Sequence, residues 1–194
     1  MDRTIKIIEG QRCRRHINPG GALGGWVALT AQVAETVVVG PDALVLDYAV
    51  VRDYAMLLDH ARVYMHATVS DYAKVSDHGE LYSCAQLGGS AQVSGWACLF
   101  GRANMHERAK ARDHAKIFED AEVCGNSIIR DSTKVYERAL IRDRAIVADN
   151  AEVYGCAEVG DRVEVLQGAS VSGRTRLMGH MRVMGVGIGA VVPK

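Results

Sequence analysis

Histidine and cysteine are the residue types of this chain that could carry out chemistry. Histidine titrates near neutral pH, so it can take a proton from a hydroxyl or an amine, and its neutral ring can bind zinc. The cysteines are odd in number and form no Cys-x-x-Cys pair, which argues against a disulfide framework or a zinc knuckle and favours a reducing compartment. The histidines are His16, His60, His66, His78, His106, His114 and His180, and the cysteines are Cys13, Cys84, Cys98, Cys124 and Cys156.

The elements that must position these residues follow from a repeat of six. Of the 27 positions reached in steps of six from Ala31 to Gly187, 19 are alanine. Of the 27 positions two residues further on, from Val33 to Gly189, 24 are Val, Leu or Ile. The repeat reads A-x-[VLI]-x-[DGE]-x, and no insertion or deletion interrupts it in the sequence.

A strict period of six drifts around an α-helix, so the repeat excludes helix and predicts short strands joined by corners. Alternation puts the alanine and the aliphatic residue on the same side of a strand, where they fill a narrow core. Fourteen of the 23 acidic residues occupy one position, two residues beyond the aliphatic residue. Aspartate and glycine favour tight turns, so this position is predicted to form the corner.

A second period gives the size of one coil. The residue after the aliphatic residue, sampled every 18 positions, is aromatic six times in succession, whereas the two other columns of this position contain no aromatic residue. Eighteen residues make three hexads, so the sequence predicts a triangular, all-β solenoid of about nine coils that is about 40 Å long. The six aromatic residues are Tyr64, Tyr82, Phe100, Phe118, Tyr136 and Tyr154.

This pattern resembles the bacterial transferase hexapeptide repeat, and the resemblance implies a left-handed parallel β-helix. The predicted domain organisation is an N-terminal cap over residues 1–30, the β-helix over 31–189 and a tail over 190–194. The segment Leu23-Gly24-Gly25-Trp26-Val27 is similar to the lead-in of a largely uncharacterised subgroup found in bacterial and phage genomes. A solenoid needs a cap because its end coil exposes core and unpaired strand edges. The apolar C-terminal end is expected to be covered by its own tail or by another subunit.

The resemblance also sets expectations about activity. Most hexapeptide-repeat enzymes are acyltransferases with a histidine base, a loop outside the coil and a subunit interface, and candidate bases here are His66, His106 and His114. No such loop interrupts the repeat. The γ-class carbonic anhydrases have a similar fold and hold zinc with three histidines. The histidines of this chain do not reproduce the sequence spacing of those three ligands. His60 and His78 should stack about 5 Å apart in one corner column, which makes them candidate metal ligands, but no third ligand is evident.

The aromatic column has three interpretations: a stabilising ladder of stacked rings, a seam between subunits, or a platform for a flat ligand. Outward apolar residues also interrupt the polar surface and mark candidate contacts. They are Val38, Leu44, Val50, Met56, Ile128, Leu140 and Ile146.

Charge and hydropathy restrict the partners. Lysine plus arginine equal aspartate plus glutamate at 23 each, and the arginine-rich corners from Arg102 to Arg144 carry acidic residues, so no nucleic-acid partner is expected. The N-terminal apolar run is too short for a signal peptide or a membrane span, which predicts a cytoplasmic protein without a membrane partner.

The sequence therefore favours a non-catalytic scaffold or binding protein without a cofactor. Its expected partners are further copies of itself, as a trimer by family resemblance, and a protein or small molecule that the sequence does not identify. An acyl-CoA-dependent enzyme with a site between subunits, or a small-molecule sequestering protein, are the alternatives.

Overall fold

The structure is a computed structural model that describes residues 5–185 and 187–189. Within these residues the chain is all β and has three sheets, as the hexad pattern predicts. No helix in this part of the chain is long and apolar enough to cross a membrane. Part of the predicted cap (residues 1–4), Val186 and the predicted tail over 190–194 lie outside the described residues.

Sheet 1 has twelve strands and sheets 2 and 3 have nine each. The strands of sheet 1 are β1 (Lys6–Ile8), β2 (Gln11–Ile17), β3 (Leu23–Ala28), β6 (Leu44–Val45), β9 (Arg62–Val63), β12 (Glu80–Leu81), β15 (Cys98–Leu99), β18 (Lys116–Ile117), β21 (Lys134–Val135), β24 (Glu152–Val153), β27 (Ser170–Ser172) and β30 (Gly187–Gly189). Those of sheet 2 are β4 (Gln32–Val33), β7 (Val50–Val51), β10 (Thr68–Val69), β13 (Gln86–Leu87), β16 (Asn104–Met105), β19 (Glu122–Val123), β22 (Leu140–Ile141), β25 (Glu158–Val159) and β28 (Arg176–Leu177). Those of sheet 3 are β5 (Val38–Val39), β8 (Met56–Leu57), β11 (Lys74–Val75), β14 (Gln92–Val93), β17 (Lys110–Ala111), β20 (Ile128–Ile129), β23 (Ile146–Val147), β26 (Glu164–Leu166) and β29 (Arg182–Met184).

Successive coils pair in parallel, so each strand lies between the equivalent strands of the coil before and the coil after. Val69 of β10, for example, pairs with Val51 on one side and with Leu87 on the other. This offset of one coil holds from the pairing of β3 with β6 to the pairing of β26 with β29. The chain is therefore a parallel β-solenoid of about nine coils, which confirms the predicted all-β solenoid and its 18-residue coil.

The last coil departs from the sequence pattern. Ser170 pairs with Gly187, so this coil is one residue shorter than the others. Gly187 and Gly189 provide no side chain that would fix a register by packing into the core. The hexad register that the sequence extends to Gly189 therefore ends before β30.

The core is the narrow interior that the alanines and aliphatic residues fill together. Val45, Leu57, Val63 and their equivalents in later coils are completely buried, as are most of the stepped alanines. These residues form one continuous cluster along the solenoid. Alanine leaves room for the aliphatic side chains from the other two sheets, so the core is only one or two side chains thick.

The corners have a feature that turn preference alone does not explain. Thirteen of the fourteen corner acids have φ between +52° and +61°. In eleven cases the carboxylate also accepts a hydrogen bond, 2.7–3.3 Å long, from the backbone N–H of the corner residue one coil further on. The corner acid thus forms the turn and also links neighbouring coils.

The N-terminal cap is an antiparallel extension of sheet 1. Strand β1 pairs with β2 and β2 with β3, while Trp26 and Val27 of β3 already lie in register with Leu44 and Val45. Trp26 lies on the outer side of this sheet, with the Arg15 guanidinium 4.5 Å from its ring, and not over the end of the first coil.

Close backbone contacts explain the glycines of the lead-in. A Cβ atom on Gly25 would lie 2.2 Å from the carbonyl oxygen of Ala43. Next to it, the Asn18 side chain accepts from the Val39 N–H at 2.8 Å and donates to the Val39 carbonyl at 3.1 Å. An amide side chain thereby satisfies the exposed edge of β5, where a further strand would otherwise pair.

The corner geometry leads to a test on Asp77, whose φ is +57° and whose carboxylate accepts the Gly95 N–H at 3.0 Å. Replacing Asp77 with Ala should lower the free energy of unfolding by about 1–3 kcal/mol, because alanine resists this backbone conformation and cannot accept the bond. Asp77→Asn is the matched control, since asparagine tolerates a positive φ and retains an oxygen acceptor. Equal losses for both variants in a denaturant titration would contradict the role given to the corner acid.

Candidate functional site

The aromatic column forms a continuous ladder of stacked rings. Neighbouring ring centroids are 4.8–5.1 Å apart and their planes differ by no more than 11°. Each ring is half-buried. The column lies where sheet 1 meets its corner, and the coil spacing fixes the distance between rings. The coil spacing therefore accounts for the separation of the rings, which stack on one another along the whole column.

The cap covers the N-terminal end of this ladder. Cys13 and Leu46 are fully buried in a small apolar cluster on which Ile8 and Tyr64 also pack. The Tyr64 hydroxyl donates to Glu80 at 3.4 Å. Burial raises the pKa of the Tyr64 phenol, and the Glu80 carboxylate raises it further, so this hydroxyl stays protonated. The Tyr64 end of the ladder therefore contributes packing, and the Tyr64 hydroxyl is not suited to proton transfer near neutral pH.

A second set of rings is exposed at the corners. The last residue of each hexad is a tyrosine or histidine six times in succession between residues 48 and 78. Because three hexads make one coil, this run goes twice around the solenoid. We call these six residues and Trp96 the aromatic collar. Its members are Tyr48, Tyr54, His60, His66, Tyr72, His78 and Trp96.

The collar rings form one stack at each of the three corners. Centroids are 5.3 Å apart for Tyr48 and His66 and 5.4 Å apart for Tyr54 and Tyr72. His60 and His78 stack at 5.0 Å, the spacing predicted for them, and the Trp96 ring follows at 3.9 Å. Tyr54 and Tyr72 expose 57% and 65% of their surface, so much of each ring is open to a partner. Reading the last residue of every hexad would have identified the collar in the sequence.

The three candidate bases do not converge on one site. His66 belongs to the collar stack under Tyr48, while His114 is exposed at the corner that follows sheet 3. His106 lies after β16, at the end of sheet 2. The structure places each histidine at a different corner of the solenoid, so only one of them could act in any single groove.

His106 has chemically capable neighbours. Its Nε2 lies 3.0 Å from a carboxylate oxygen of Glu122, and the Cys124 thiol completes a group whose potential ligand atoms are all within 4.8 Å of one another. Burial raises the pKa of the Cys124 thiol to about 11, with further contributions from nearby carboxylates that include Glu107. Of these three residues, the sequence analysis identified only His106. Cys124 could have been found because it occupies the same position of the repeat one coil later.

His60 and His78, the candidate metal ligands from the sequence, acquire no third donor of this kind. Within residues 5–185 and 187–189, the group around His106 is the one in which three histidine, cysteine or acidic side chains come close enough to share an ion. Trp96 lies over the His78 ring on the side away from His60. The histidine stack is therefore completed by an apolar ring.

The charged corners of the C-terminal half pair among themselves. Arg102 contacts Asp120 at 2.6 Å, and Arg142 contacts both Asp143 at 2.8 Å and Glu158 at 2.7 Å. Such exposed pairs contribute little stability, but they cancel the charge of the arginines locally.

Comparison with known proteins adds no family assignment. No protein-family model matches the chain, and no curated protein matches it. The parallel solenoid with its regular coil is consistent with a hexapeptide-repeat β-helix, and inferences about function rest on the surface described above.

Removing two rings of the ladder tests its structural role. The double substitution Tyr82→Ser and Phe100→Ser should lower the free energy of unfolding by roughly 2–5 kcal/mol, since it removes two half-buried aromatic side chains and three stacked contacts. The substitutions Tyr48→Ser and His66→Ser provide the control, because they remove an equally stacked but exposed pair. Denaturant unfolding of both variants measures the difference. Unchanged stability of the ladder variant with a reduced assembly mass would favour a seam between subunits instead.

Proposed function

We propose that this chain is a non-catalytic β-solenoid that acts as a scaffold or binding protein through its outer surface. The aromatic collar is the observation that supports this proposal. Its tyrosines point into solvent at positions that need only a polar residue for folding, as the serine, asparagine and arginine residues at the same position of later coils illustrate. Exposed tyrosine and tryptophan side chains are enriched at protein interfaces.

The corner between sheets 2 and 3 offers the broadest contact surface. Tyr54 and Tyr72 stack on this corner, Met56 is 37% exposed on the adjoining strand of sheet 3, and Val50 lies half-buried on sheet 2. Together these residues make an apolar edge on an otherwise polar surface. Apolar edges of this kind usually mark contacts with another macromolecule.

A second copy of this chain is the partner that fits the edge best. The rings repeat at the coil spacing, so a parallel copy would present an identical repeat and meet the first one ring for ring. We infer a homo-oligomer with solenoids side by side, a trimer by analogy with hexapeptide-repeat proteins, in which each solenoid is left-handed and triangular. Further binding partners would use the collar corners that remain outside the contact.

The proposed origin and location follow the same reasoning. The close backbone approach at Gly24 and Gly25 gives the L-G-G-W-V segment a structural role, which supports its likeness to the bacterial and phage subgroup. All five cysteines are unpaired, which supports a cytoplasmic location.

Sedimentation velocity tests the proposal with two matched variants. Tyr54→Ser with Tyr72→Ser should weaken self-association about tenfold or more, because aromatic anchors dominate such contacts. Tyr48→Ser with His66→Ser removes an equally stacked exposed pair from another corner and should leave the assembly mass unchanged. A monomeric wild-type protein at tens of micromolar, or equal effects of both variants, would contradict the proposal.

One observation favours an enzyme as the second candidate. Glu122 orients the His106 ring at 3.0 Å, as a carboxylate orients a general base, so a groove between subunits at this point could serve an acyl-CoA-dependent transferase. Calorimetric titration with acetyl-CoA separates the two candidates. A one-to-one binding signal that His106→Asn abolishes would support the enzyme, whereas a flat trace with assembled wild-type protein would eliminate it.

A further inference from the structure

We propose that His106, Glu122 and Cys124 form a binding site for a divalent transition metal, with zinc as the ion that their donor atoms suit best. The site goes beyond the scaffold function and does not depend on self-association. Its basis is the convergence of one nitrogen, one oxygen and one sulfur donor on the outer side of sheet 2, with all three within 4.8 Å of one another.

The register of the solenoid brings the three donors together. Met105 of β16 pairs with Val123 of β19, so His106 and Cys124, the residues that follow them, lie one above the other in neighbouring coils. Glu122 precedes Val123, and alternation along the strand puts it on the same side as Cys124. Glu122 lies in β19, while His106 and Cys124 each directly follow a paired strand and donate a backbone hydrogen bond to the next coil.

The geometry suits an ion that takes four ligands. Zinc is bound tetrahedrally by cysteine, histidine and carboxylate side chains, and three protein ligands leave one position for water or for a group from a partner. Calcium and magnesium prefer oxygen donors alone, so this set selects against them. His106 Nε2 and a Glu122 carboxylate oxygen are 3.0 Å apart and the Cys124 sulfur lies within 4.8 Å of both, so side-chain rotation would bring the three donors onto one ion.

Local charge also favours a cation. The carboxylates of Glu107, Glu122 and Asp143 all act on the Cys124 thiol, while Arg142 is the opposing positive charge. Arg142 is paired with Glu158 at 2.7 Å and with Asp143 at 2.8 Å, so its charge is already balanced by these two carboxylates. A bound cation would restore neutrality among these carboxylates.

The site is not explained by the rules that account for the rest of the surface. The other close ion pairs between coils join an arginine or lysine to a carboxylate, as Lys134 does with Glu152 at 2.8 Å. Here histidine takes the place of the permanent cation, and a half-buried cysteine follows in the same column. A residue that does not bind metal would serve the fold equally well at position 106 and at position 124. The histidine and the cysteine at these two positions can bind metal.

Cobalt provides a direct readout, because a thiolate ligand gives cobalt(II) an intense near-ultraviolet band. The full-length, reduced protein is titrated with cobalt(II) and then with zinc. We expect the band to saturate at one equivalent of cobalt per chain and to disappear when zinc displaces it. Cys124→Ser should abolish the band, and Glu122→Gln should weaken cobalt binding about tenfold or more, while melting temperatures confirm that both variants remain folded.

Two matched variants serve as controls. Cys84→Ser removes an exposed cysteine from another corner, and His60→Asn with His78→Asn removes the stacked histidine pair. Both should bind cobalt like the wild type. Absence of the band in the wild-type protein, or its persistence in Cys124→Ser, would overturn the proposal. Loss of the band only in a control variant would likewise overturn it, because the ion would then be bound elsewhere.

Discussion

The structure depends on the hydrogen bonds that hold each coil on the next at a fixed offset. Every hexad forms several backbone bonds to the next coil, as Val50, Arg52 and Tyr54 do with Ala67, Val69 and Asp71. At eleven corners a carboxylate adds a bond to the corner N–H of the next coil. The carboxylate bond also explains why aspartate and glutamate occur at corners where glycine would adopt the backbone conformation with less strain. Glycine permits the positive φ but has no side chain to accept the N–H of the next coil. Register, core and surface all follow from coils held at this fixed offset.

Because the offset is fixed, each outward position lies directly against the equivalent position of the next coil, at the strand spacing. Aromatic residues at such positions stack into a ladder, and charged residues pair with opposite charges in the neighbouring coil. The half-buried ladder forms a stack beside sheet 1, and the exposed collar has the same geometry at the corners. Function on such a rod is expected where outward residues depart from what folding requires.

Sequence periodicity predicted much of this fold because the core positions are almost invariant in type. The steps from Ala31 and Val33 located each coil, and sampling once per coil found the ladder from Tyr64 to Tyr154. The antiparallel cap was less predictable, since its pairing depends on contacts such as that of Asn18 with Val39 that have no periodicity. The short last coil was missed because glycine at positions 187 and 189 preserves the pattern without fixing the register.

The candidate sites were harder to predict for a different reason. The sequence identified His106 and the pair His60 and His78, but it gave no distances between side chains in different columns. Glu122 joins His106 only because an outward strand residue and a residue at the strand end lie side by side in neighbouring coils. The collar was missed because its members mix tyrosine with histidine, so no single residue type marks it.

Hydrogen exchange tests the central claim, that hydrogen bonds at the corners hold the coils between residues 31 and 172 at a fixed offset. The account predicts slow exchange at corner amides such as those of Gly89, Gly95 and Gly125, each bonded to a carboxylate one coil earlier, and no rapidly exchanging segment between residues 31 and 172. Rapid exchange at these corners, or a mobile stretch within the coils, would contradict the account, because the corner amides would then lack the hydrogen bonds that hold neighbouring coils together.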